Sequence, residues 1–157
     1  CKEPNNAPAR EAMMLAATQG GMAFSNASVC MVHGMSRPIG AHFHVPHGLS
    51  NAMLLPAVTA FSAPNAMTRY AECARSMGIV NERDNEDIAV NKLIDELSAL
   101  NHDLKVPSPK DYGIGDNKYF SMLETMAEQA LASGSPANNP RVPNVEEIVA
   151  IYEEIWT

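Results

Sequence analysis

The chain has 157 residues, enough for one domain with a full core. Apolar residues make up 46% and charged residues 18%, which excludes a disordered chain. A net charge of −7 and the lack of any Lys/Arg run exclude a nucleic-acid partner, and no apolar stretch or signal peptide points to a membrane.

Helical periodicity covers most of the length, and clean period-2 alternation is nearly absent. The opening "CKEPNNAPAR" has no initiating methionine, and a helical pattern follows at once. It reads as a chain whose earlier part is missing. Residues 8–27, rich in alanine and methionine, predict a first helix. Gly20 and Gly21 weaken it and would admit another backbone closely. A loop with four histidines is expected next, between an apolar segment ending near His33 and a helix opening at His47. Pro46 suits the start of that second helix, and Pro56 is expected to kink or end it.

"NAMTRYAECARSMG" predicts an amphipathic helix stopped at Gly78. The next helix has acids in its first turn and a stripe of Val90, Leu93, Ile94, Leu97, Leu100 and Leu104. After the turn-rich "KVPSPKDYGIG", a helix over "DNKYFSMLETMAEQALASG" should turn Phe120, Leu123, Met126, Ala127 and Ala130 inward. In the last helix Asn144 and Glu147 have capping-box spacing, and Val145, Ile148, Val149, Tyr152 and Ile155 face inward. The fold class is therefore all-α, a bundle-like domain of six or seven helices over residues 1–157, without repeat or linker.

Cys1, Cys30 and Cys73 are far apart and form no CxxC pair, so they read as reduced thiols in a cytoplasmic protein. Cys30 fits a small buried hydrophobe. The histidines are more informative, because His33, His42, His44 and His47 crowd into fifteen residues. His33 and His47 stand beside apolar helical segments, and rigid supports suit metal ligands. Neutral imidazole suits iron, zinc, copper and nickel. Two donors do not complete a site, and Glu3 and Glu11 are the only acids before residue 60. From spacing alone, a half-built metal site and a surface loop both remain open.

"HGMSRPIGAHFHVPHGLSNAMLLP" closely resembles the signature of the iron-containing, or group III, alcohol dehydrogenases. "GGMAFSNASV", "MTRYAECARSMGI" and "NNPRVPNVEEIVAIYEEIW" extend the resemblance over essentially the whole chain. It implies the C-terminal helical, metal-binding half of a two-domain, dehydroquinate-synthase-like fold. The N-terminal NAD- or NADP-binding domain of that fold has no counterpart here, and no Gly-rich phosphate loop follows a strand.

The resemblance further implies Fe2+, or Zn2+ or another divalent metal, held by His33 and His47 together with an aspartate and a histidine from an upstream helix. The reaction implied is hydride transfer between a primary alcohol and NAD or NADP, with the metal as Lewis acid. Phe24 matches a position beside substrate and nicotinamide, although a core aromatic is an equal reading. His44 could approach the substrate, and His42 fits the surface. Many relatives have histidine where this chain has Arg37. Arginine cannot accept a proton but binds anions, so Arg37 is expected to contact the cofactor or a charged end of the substrate. Pairing with a helix C-terminus or a surface acid is the plainer alternative.

A homo-oligomer is also implied. The chain by itself is expected to be inactive, since it lacks two ligands and the nucleotide domain. A non-catalytic helical module that kept the fold and lost the reaction is the competing reading.

Overall fold

The computed structural model describes residues 3–157, and among them every regular element is helical. Eight α-helices follow in order: α1 (Ala7–Ala27), α2 (Met31–Phe43), α3 (His47–Ser62), α4 (Met67–Ser76), α5 (Glu86–Asp103), α6 (Asp116–Ser121), α7 (Leu123–Ala132) and α8 (Val145–Glu154). Short 3-10 turns cover Ala63–Asn65 and Ser135–Asn138. No described helix is long and apolar enough to cross a membrane.

The largest departure from expectation lies at the histidines. No loop separates His33 from His42, because α2 runs through both and carries Pro38 in its interior. An interior proline costs about 3 kcal/mol or more, since the freed carbonyl loses its N–H and the ring crowds it. The buried face that Pro38 shares repays this. Met31, Met35 and Ile39, spaced four apart, are fully buried, and each such side chain contributes about 1.5–3 kcal/mol. The sum exceeds the proline penalty, so the helix continues.

Pro56 does not end α3 either. It leaves the Ala52 carbonyl without its intrahelical donor, and Asn101 Nδ2 from α5 donates to that oxygen at 2.7 Å. A neighbouring helix thus supplies the missing hydrogen bond.

α2 sits centrally, packed on α3, on α7 and on the 135–138 turn. Gly34 makes the last contact possible. A Cβ there would lie 2.9 Å from Pro136 Cδ and 3.0 Å from Pro136 Cγ. Two fully buried tyrosines tie three helices together. Tyr119 of α6 donates to the Tyr152 carbonyl, and Tyr152 of α8 donates to the Met35 carbonyl, each at 2.8 Å. Burial pushes both phenols well above their usual range.

A second, smaller core joins α4 to α5 through Ala71, Ala74, Ala89, Val90 and Leu93. The expected stripe of α5 is buried only in its first half, and Leu100 and Leu104 are exposed. The single helix expected over 116–134 is two helices broken at Met122, the second ending at Ala132. That break turns Tyr119 inward and leaves Phe120 45% exposed. Asn144 caps α8 in a capping box with Glu147, as the spacing predicts. Among the described residues nothing lies within 4 Å of where a Cβ would stand on Gly20 or Gly21, so none of their backbone approaches these glycines.

Candidate metal centre

His33 stands in the first turn of α2, not at the end of a segment, and His47 is the first residue of α3. Their ring centroids lie 5.3 Å apart, with ring planes inclined at 52°. Both positions repeat one local device. A serine three residues on is buried and donates to the histidine carbonyl: Ser36 to His33 at 3.1 Å, Ser50 to His47 at 3.0 Å.

The donor set fits a divalent ion as far as two ligands go. With metal–nitrogen bonds of about 2.1 Å and nitrogen about 1.1 Å from the ring centroid, two imidazoles at a tetrahedral angle have centroids about 5.2 Å apart. The observed separation matches. Burial lowers the His33 pKa, and the His47 and Arg37 charges lower it further. His33 is therefore neutral at pH 7 and keeps a lone pair for a ligand. Among the described residues no group of three or more His, Cys, Asp or Glu side chains is placed to hold a metal.

Asn51, one turn after His47, is a site residue that the sequence reading missed. Its Nδ2 lies 2.8 Å from the His47 carbonyl and 3.1 Å from His47 Nε2. The carbonyl only accepts, so the amide atom facing it must be the nitrogen. Nε2 is then an acceptor as well, and a neutral His47 carries its proton on Nδ1. The buried Asn51 Oδ1 has no partner. The signal available in the sequence was an amide at i+4 from a candidate ligand, on the same helix face.

The other predicted residues are distributed around this pair. Arg37 is exposed on α2, one helical turn after His33, and its charge acts on that imidazole. Phe24 is 52% exposed in the last turn of α1, outside the core that the described residues build. His42 lies about 13 Å along the α2 axis from His33. It is half-buried, with Nε2 2.9 Å from Gln129 Oε1. His44 ends α2 in a left-handed conformation, φ 57°, and its carbonyl accepts from the Tyr112 hydroxyl at 3.4 Å. An open cleft of about 280 Å³ runs beside His42, His44, Tyr112 and Lys118. Cys30 is half-buried at the start of α2, not fully buried, and Cys30 and Cys73 are free thiols; Cys1 lies outside the described residues.

Residues 1–156 match the model of the Fe-containing alcohol dehydrogenase family, C-terminal. The chain belongs to this family. It is 34% identical over 149 residues to the NADPH-dependent butanol dehydrogenase of Clostridium saccharobutylicum, covering 94% of this chain and 38% of that protein. Lactaldehyde reductase of Escherichia coli (strain K12) is 35% identical over 149 residues, again with 94% and 38% covered. A crystal structure of 1,3-propanediol oxidoreductase superposes with a TM-score of 0.89 at 34% identity, covering 96% of this chain and 39% of that one. The chain thus spans less than two fifths of the length of these relatives. Its all-α architecture is that of the helical C-terminal domain of the family.

Proposed function

We propose that residues 1–157 form the metal-binding helical domain of an NAD- or NADP-dependent enzyme that interconverts a primary alcohol and an aldehyde. The observation that carries this reading is the His33–His47 pair, 5.3 Å apart on two helix starts, in a chain of this family. Relatives named for butanol and lactaldehyde chemistry support a small alcohol or aldehyde as substrate.

His33 and His47 would hold a divalent ion, Fe2+ or Zn2+, which would supply Lewis-acid polarisation of the substrate oxygen for hydride exchange with NAD or NADP. The residues of this chain have positioning roles. His33, neutral and half-buried, and His47, once the Asn51 amide releases its Nε2, furnish two of the ligands. Phe24 and His44 are contacts for the nicotinamide and substrate side of the site. Free thiols at Cys30 and Cys73 favour a cytoplasmic setting, and homo-oligomeric assembly follows from the family reading. The remaining ligands and the nucleotide-binding domain come from sequence outside this chain, which by itself is inactive.

Metal content tests this reading. In the full-length enzyme, His33→Ala and His47→Ala should each lower metal affinity by about 100-fold or more and abolish alcohol oxidation. The present chain alone should not retain stoichiometric iron or zinc through desalting, because two donors fall short of the three or four that zinc takes. Full metal retention by both full-length variants would overturn the ligand assignment. Tight stoichiometric binding by the present chain would overturn the half-site.

A non-catalytic helical module is the second reading, favoured by the lack of a third ligating side chain near the pair among the described residues. A metal-loaded wild-type enzyme that turns over no alcohol would select it.

A further inference from the structure

Arg37 lies four residues after His33 on α2, so the two side chains share a helix face, about 5–6 Å apart at Cβ. The guanidinium is exposed, and no hydrogen bond or ion pair engages it among the described residues. Two other arginines have acid partners: Arg69 meets Glu72, and Arg141 meets Glu147. From residue 12 to residue 71 the sequence contains no Asp or Glu, although the whole chain carries −7. Arg37 follows His33 by one turn on α2, and its charge acts on that imidazole. This is a local positive site on an acidic protein.

We infer that Arg37 binds a carboxylate carried by the substrate, making the enzyme selective for short aldehydes or alcohols with a terminal anionic group. The inference rests on the reading that the reacting oxygen sits at His33 and His47. Given that, a carboxylate about two to four bonds beyond the reacting carbon falls within reach of the guanidinium, whose planar fork takes both oxygens. The phosphates of a nicotinamide cofactor lie beyond a ribose from the reactive ring, so they are the more distant anion.

The test uses the full-length enzyme, with a four-carbon aldehyde bearing a terminal carboxylate and the uncharged four-carbon aldehyde as paired substrates. Arg37→Gln should lower the ratio of kcat/KM, charged over uncharged, by about 30- to 100-fold. Arg37→Lys should recover part of that ratio, because it keeps the charge and loses the fork. Calorimetric titration with butyrate should show binding to wild type that Arg37→Gln weakens about 10-fold or more. An unchanged ratio together with unchanged butyrate binding overturns the inference. A loss that appears as a raised KM for the nicotinamide with both substrates also overturns it, by assigning Arg37 to the cofactor. If wild type reduces neither aldehyde, the proposed function falls, and the butyrate titration still decides the role of Arg37.

Discussion

Glu147 shows how much one side chain does at the residue scale. Its carboxylate accepts from the Asn144 backbone N–H at 2.9 Å and pairs with Arg141. The hydrogen bond to Asn144, then the Arg141 partner, hold its pKa below the ordinary 4.5 against an opposing contribution from burial. A carboxyl depressed in the folded state contributes stability above its unfolded pKa and loses it as pH falls through the lower folded value. Thermal unfolding of wild type and Glu147→Gln should therefore differ most at about pH 6, above the unfolded pKa, and converge as pH falls through the depressed folded value. A constant difference across that range would show that the charge contributes nothing. Asn144 and Glu147 were legible as a capping box because both partners lie within one turn. Asn51 was not, because i+4 spacing alone does not distinguish a contact with His47 Nε2 from a solvent-facing amide.

At the scale of elements, the packing of α2 decides where His33 stands. Gly34 is the next residue, and its missing Cβ lets α2 approach the buried ring of Pro136. Gly34→Ala gains about 1 kcal/mol in helix propensity. Forcing a methyl to within 2.9 Å of a rigid ring costs about 1–3 kcal/mol. The cost is the larger, so urea denaturation should show a lower midpoint for this variant; an unchanged or higher midpoint would mean that the 135–138 turn yields freely. The same competition between local and tertiary energies explains why α2 and α3 run through Pro38 and Pro56. Read locally, each proline ends a helix. The buried face of α2 and the reach of Asn101 from α5 overrule that local rule.

Across the whole molecule, burial is uneven. α2, α3, α7 and α8 contribute to one core, while α1 has no buried residue and exposes Met13, Met14, Leu15, Met22 and Phe24. Few apolar contacts hold it, so local opening should be cheap. Hydrogen exchange on this chain should find the α1 amides exchanging at least about 100-fold faster than those of α2 and α8. Equal protection would show that α1 belongs to the same cooperative unit.

The sequence by itself determined the all-α class, most helix positions, the cap of α8 and the candidacy of His33 and His47. Helix period and caps are short-range, and the family signature lies in one continuous stretch. Only the tertiary structure decided that these imidazoles meet at 5.3 Å, that helix replaces the histidine loop, and that Tyr119 rather than Phe120 turns inward. Each of these depends on surfaces distant in sequence. Their burial energies outweigh the local preferences of prolines and turns.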